Sequence, residues 1–129
     1  MSLEVELGLY KKYPYLFARK DLSRDESCMS YGIAVAPGWL SLIDKMSEEI
    51  SEIDSNVQYE QIKEKFGLLR VYTINGDEDK CQLVYDVIDK YTVLSRTTCE
   101  VCGEKGELRT DDWNRVLCDS HHKESLTNQ

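Results

Sequence analysis

The segment CEVCGEKGELRTDDWNRVLCDSHH, residues 99–122, decides how this chain is read. Cys99, Cys102 and Cys118 precede a histidine pair, so the spacing is C-x2-C-x15-C-x2-H with His121 or C-x2-C-x15-C-x3-H with His122. Two short-spaced donor pairs separated by a loop suit tetrahedral zinc, which takes thiolates near ~2.3 Å and imidazole near ~2.0–2.1 Å. Gly103 directly follows the first pair, where the chain must turn tightly to aim both sulfurs at one metal. Residues three apart share one side of a helical turn, which favours His121 over His122 beside Cys118. The expected ligand set is therefore Cys99, Cys102, Cys118 and His121. Three thiolates and an imidazole fill the coordination shell, so the zinc is read as structural and not catalytic.

Between the donor pairs, Glu107–Thr110 and Trp113–Leu117 predict two short strands turning through Asp111-Asp112, and Cys118 opens a short helix. A knuckle, a hairpin and a helix whose first turn carries the last two ligands resemble the treble-clef class of zinc modules. The segment has too few apolar residues to fold unaided, so zinc binding, worth roughly 10–16 kcal/mol in small modules, would serve as folding energy. Phage endonucleases of the HNH and endonuclease VII type mount catalytic histidines on the same scaffold, but the intervening stretch ELRTDDWNRVL holds no histidine. Neither a G-x-x-x-x-G-K loop nor a G-x-S-x-G elbow occurs, and no third histidine stands ready as a base for Cys28 or Cys81. The chain is expected not to be an enzyme.

Upstream of this segment the hydrophobic pattern predicts an α+β domain over residues 1–96, with residues 97–129 as the zinc module and the boundary near Arg96–Thr98. Leu3, Leu7, Tyr10 and Phe17 recur at helical spacing behind Ser2 until Pro14 interrupts. Tyr31, Ile33 and Val35 alternate with small residues, a strand signature that ends at Pro37-Gly38. Trp39, Ile43, Met46, Ile50 and Ile53 mark an amphipathic helix over about residues 38–54. Residues 57–66 and 68–74 read as two strands around Gly67, closed by Asn75-Gly76. Asp77, Glu78 and Asp79 place negative charge at the start of a second amphipathic helix, with Leu83, Val87, Tyr91 and Leu94 on its apolar face and Cys81, Val84 and Ile88 beside them, Cys81 read as a packing residue. The expected architecture is a small antiparallel sheet with two amphipathic helices plus the treble-clef-like module.

Charge narrows the function. The chain has 129 residues with 24 Asp and Glu against 16 Lys and Arg, a formal charge of −8. Residues 1–98 hold 17 acids and 12 bases and residues 99–129 hold 7 and 4, so neither part is basic. Phosphate-backbone binding draws its affinity from clustered Lys and Arg, which disfavours nucleic acid as a partner. Lys63, Lys65 and Arg70 form a local basic group best read as a solvated face. Asp44, Glu48, Glu49 and Glu52 instead crowd one helix, where like charges repel, and form a surface suited to a basic protein partner. No apolar run approaches the ~20 residues of a spanning helix, and the acidic amino terminus lacks the pattern of a secretory signal. A cytoplasmic protein is expected, in which five cysteines serve as metal or packing residues and not as disulfides.

KYPYLF, SCMSYGIAVAPGW, QIKEKFGLLRVY and the closing CEVCG…LCDSHH together resemble a family of small phage and prophage proteins. In that family a YP-x-LF segment, a Cys-Met before an aromatic-Gly-Ile strand, a Gly-Trp helix start, a K-E-K-F-G-x-L-R strand pair and a carboxy-terminal zinc knuckle follow in this order. Members often carry an aspartate just before Gly-Trp, where this chain has Pro37. The resemblance implies a viral origin and a two-part layout but no reaction. The function expected from these readings is a phage accessory protein that binds a host protein, such as a component of a defence system or of nucleic-acid metabolism. The alternatives are a nucleic-acid-binding zinc regulator using Arg109, Arg115 and Trp113, and a protein that sequesters a small ligand.

Overall fold

A computed structural model describes residues 2–22, 29, 32–110 and 114–127. Cys28, Tyr31 and Asp111–Trp113 lie outside them. The chain runs through α1 (Ser2–Lys12), α2 (Leu40–Ile53), β1 (Gln58–Lys65), β2 (Leu68–Ile74), α3 (Cys81–Ser95), β3 (Glu107–Arg109), β4 (Arg115–Leu117) and α4 (Asp119–Thr127). The strands pair as two antiparallel hairpins, β1 with β2 and β3 with β4. The class is α+β as expected, and the described residues hold four helices, the two amphipathic ones and the short ones expected before Pro14 and after Cys118.

Helix α1 stops two residues before Pro14, whose ring cannot continue it. It buries Leu9, with Tyr13 following, and leaves Leu7 exposed. Tyr13 donates to the Asp44 carboxylate at 2.8 Å and Lys12 pairs with the same group at 3.0 Å, fastening α1 to α2. The strand expected at Tyr31–Val35 is not formed in its described part. Gly32 takes a left-handed φ of +80°, which breaks an extended run, and Ala34 makes a single parallel bridge to Lys63 before Pro37 turns the chain. That bridge, with the Ala34 N–H donating to the Ile62 carbonyl at 3.0 Å, covers part of the open edge of β1.

Pro37–Trp39 forms one 3-10 turn leading into α2, consistent with proline's fixed φ suiting a helix start. Helix α2 buries Ile43, Met46 and Ile50 of the stripe read from its spacing, with Leu40, Leu42 and Ser47 buried beside them. The β1–β2 hairpin turns through Phe66 (φ 55°) and Gly67 (φ 81°), two consecutive left-handed residues that define a two-residue type I′ turn. Its register pairs Lys65 with Leu68, Lys63 with Arg70 and Ile62 with Val71. Tyr59 is fully buried and its hydroxyl lies 2.8 Å from that of Ser47 on α2.

In α3 the buried stripe is Val84, Val87, Ile88, Tyr91 and Ser95, whereas Leu83, Leu94 and Cys81 are exposed. Val87 and Tyr91 hold the expected face and Val84 and Ile88, read beside it, are buried with them, while Leu83, Leu94 and Cys81 at its other edge turn outward. Contacts between elements select the observed face: Tyr91 donates to Glu49 on α2, and the Ser95 hydroxyl accepts the Leu69 N–H at 3.1 Å. One core cluster runs from Leu9 through Trp39, Ile50, Ile62 and Ile88 to Val116. Residues on both sides of position 96 therefore share it. Among the described residues no helix is long and apolar enough to cross a membrane.

Candidate metal centre

The segment after α3 folds back on itself immediately. Thr98 bridges Lys105, the Cys99 N–H donates to the Glu104 carbonyl at 2.7 Å, and the Gly103 N–H donates to the Cys99 carbonyl at 2.9 Å. This tight turn, with Gly103 at φ 83°, carries Cys99 and Cys102 on one side. Strands β3 and β4 then bring Cys118 to the start of α4, and His121 follows in the first turn of that helix.

Cys99, Cys102, Cys118 and His121 converge, each offering one ligand atom, and these atoms all lie within 4.8 Å of one another. The Cys102 and Cys118 sulfurs are 3.8 Å apart, and His121 Nδ1 lies 3.6 Å from Cys99 Sγ and 3.2 Å from Cys118 Sγ. A zinc tetrahedron built from ordinary bond lengths has S···S edges of about 3.8 Å and S···N edges of about 3.6 Å. The four donors are thus close enough to hold one metal ion, and their kind and spacing are compatible with zinc. His121 and not His122 is the histidine of the cluster.

The protein prepares the sulfurs unequally. Burial opposes ionisation of Cys99, but the backbone amides of Cys118, Cys102 and Val101 outweigh it and bring the thiol down to about 6. At Cys102 the Glu104 amide favours the thiolate, yet burial and the neighbouring Cys99 and Cys118 sulfurs hold the thiol above its ordinary value. Metal binding at neutral pH must therefore displace a proton from Cys102.

Contacts around the cluster were not legible in the ligand spacing. Arg109 on β3 donates to the Leu117 carbonyl at 3.2 Å and to Asp119 at 2.8 Å, and pairs with Glu107 at 3.1 Å. It thereby braces the residues on both sides of Cys118. Glu100, 7% exposed, accepts from Arg115 Nε at 2.8 Å, and its N–H donates to the Val116 carbonyl at 2.9 Å. The knuckle is seated on the turn before α2: the Gly38 N–H donates to the Glu100 carbonyl at 2.7 Å and Trp39 Nε1 to the Thr98 carbonyl at 2.8 Å. A Cβ at position 38 would fall 2.3 Å from the Cys99 carbonyl oxygen, so only glycine admits this approach. The Gly-Trp pair, read from sequence as a helix start, is also the seat of the turn that carries Cys99 and Cys102.

The four acids of the expected partner surface do not lie equally free. Asp44 is taken up by Lys12 and Tyr13, and Glu49 by Lys90 at 2.6 Å and by the Tyr91 hydroxyl. Glu48 and Glu52 are exposed one turn apart. No family model, curated protein or solved structure matches the chain.

Proposed function

We propose that this chain is a non-enzymatic binding protein, a phage accessory protein on the strength of its sequence resemblance, whose treble-clef-like module holds a structural zinc and whose exposed α2 acids engage a basic host protein. The observation that carries the reading is the four-donor cluster of Cys99, Cys102, Cys118 and His121. Four protein ligands complete a tetrahedral shell and leave no position for substrate or activated water. The cluster's scaffold is bonded to the turn that starts α2, so a filled metal site would hold that helix and present Glu48 and Glu52 on a rigid support.

The nucleic-acid alternative loses support from the same geometry. Arg109 is spent on Glu107, Asp119 and a backbone carbonyl, and Arg115 on Glu100. Neither arginine is left to neutralise phosphates, and the overall charge of −8 adds repulsion.

Two measurements test the reading. Elemental analysis of the purified protein should return one zinc per chain, and a Cys102→Ser variant should lose it. Tagged wild-type chain and a Glu48→Lys/Glu52→Lys variant, used as bait in lysate of a bacterial host, should differ in one basic protein retained by the wild type alone. Equal retention by both baits would overturn the acidic-surface assignment.

A further inference from the structure

The face of the β1–β2 hairpin away from the core carries an unneutralised cationic pair. Lys63 and Arg70 are direct cross-strand partners, so their side chains stand on the same face, and Lys65 follows two positions along that face. Like charges placed directly opposite destabilise a hairpin. Arginines elsewhere in this acidic chain meet carboxylates: Arg19 pairs with Glu60, Arg109 with Asp119 and Arg115 with Glu100. The hairpin's own acids are committed, Glu60 to Arg19 and Glu64 to the Gly67 N–H of the turn. Neither Lys63 nor Arg70 has an acidic partner among the described residues. Arg70 Nε is, moreover, the one fully buried side-chain nitrogen or oxygen without a hydrogen-bond partner in the described residues. Arg70 is half-buried as a whole, and its terminal nitrogens still reach solvent.

We propose that Lys63 and Arg70, with Lys65 beside them, form a binding site for an oxyanion, a phosphate or a carboxylate group carried by a ligand. A guanidinium receives such a group through two parallel N–H donors, and Arg70 offers its solvent-facing terminal nitrogen together with Nε after a small turn of the guanidinium plane. The ammonium of Lys63 supplies a second positive charge from across the strands. Binding would relieve the cross-strand repulsion and supply the missing acceptor at once. The site is on a different face from the acids of α2, so it neither needs nor excludes the protein partner proposed above.

The test uses the whole zinc-loaded chain labelled with 15N at low ionic strength, titrated separately with inorganic phosphate, acetate and sodium chloride of matched ionic strength. Saturable amide shifts centred on Lys63, Lys65 and Arg70 are expected with phosphate or acetate and not with chloride, and the stronger of the two names the source of the oxyanion. Lys63→Gln should weaken binding at least tenfold. Lys63→Glu, which gives Arg70 an internal carboxylate, should abolish binding while raising the melting temperature. Shifts that fail to saturate at tens of millimolar, that chloride reproduces, or that persist in Lys63→Glu overturn the proposal.

Discussion

At the scale of single residues, the turn of the β1–β2 hairpin is the least economical choice in the fold. Phe66 holds φ 55° with 67% of its surface exposed, so a bulky side chain sits in a left-handed conformation without burial in return. Its one ring contact is Lys65 Nζ, 5.7 Å from the centroid, and such a contact at the surface is worth little. A type I′ turn prefers Asn-Gly, because asparagine tolerates left-handed backbone far better than phenylalanine. Phe66→Asn is therefore expected to stabilise the chain by about 0.5–1 kcal/mol, seen as a higher urea midpoint with an unchanged slope. A lower midpoint would mean that the ring contributes packing not apparent in its exposure. Gly38 is the opposite case, a position where no larger residue fits beside the Cys99 carbonyl. Neither fact shows in local sequence, since one depends on which turn type the strands adopt and the other on a segment some sixty residues away.

Among the elements, α2 and α3 show what periodicity can and cannot provide. The α2 stripe is read correctly because Trp39, Ile43, Met46 and Ile50 leave one apolar face and polar residues on the other. Helix α3 is apolar over a wider arc, and which edge of it is buried, Val84 and Ile88 and not Leu83 and Leu94, rests on partners in α2 and β2. The strand expected before Pro37 fails for a related reason: alternation alone does not supply a second strand, Gly32 breaks the extended run, and Ala34 then makes a single bridge. Ligand spacing, by contrast, is local, and so the four-donor cluster was legible down to which histidine joins it. Glu49 joins the two helices. The Lys90 ammonium and the Tyr91 hydroxyl hold its carboxyl below the ordinary carboxylate range, while burial and this carboxylate push Tyr91 up to about 12. A carboxyl lowered on folding stabilises the native state above its unfolded value, near ~4.3, and loses that contribution as pH falls through the folded value. Glu49→Gln should thus be less stable than wild type at pH 7, by under about 1 kcal/mol because the pair is part-exposed, and indistinguishable from it at the acid end. Urea midpoints measured from neutral pH to below the carboxylate range read this directly, and a gap that persists in acid would assign the loss to packing.

At the scale of the whole molecule, the Cys/His segment is bonded to and packed against the rest of the chain. Gly38 and Trp39 hydrogen-bond its knuckle, a Cβ at Gly67 would come within 2.7 Å of Leu108, and Val116 belongs to the common core. Metal loss should accordingly be felt beyond residue 97. Trp39, 0% exposed, is the natural reporter, because its indole N–H is bonded to the Thr98 carbonyl one residue before the first ligand. The only other tryptophan is Trp113. In a Trp113→Phe background, chelation should red-shift the remaining emission and lower the melting temperature of the whole chain in a single transition, since a ligand that binds only the native state contributes its binding energy to folding. Acid should produce the same change without chelator. The Cys99 thiol, near 6 before metal binds, keeps its thiolate at neutral pH and must be deprotonated against an increasing proton concentration below that value, while Cys102 is protonated sooner still. Protons and metal compete for these sulfurs, so apparent affinity should be high at neutral pH, fall steeply as pH drops through about 6, and track the Trp39 shift. Emission that stays blue while a colorimetric chelator records full metal release would show that the knuckle unfolds alone and that its hydrogen bonds to Gly38 and Trp39 transmit nothing.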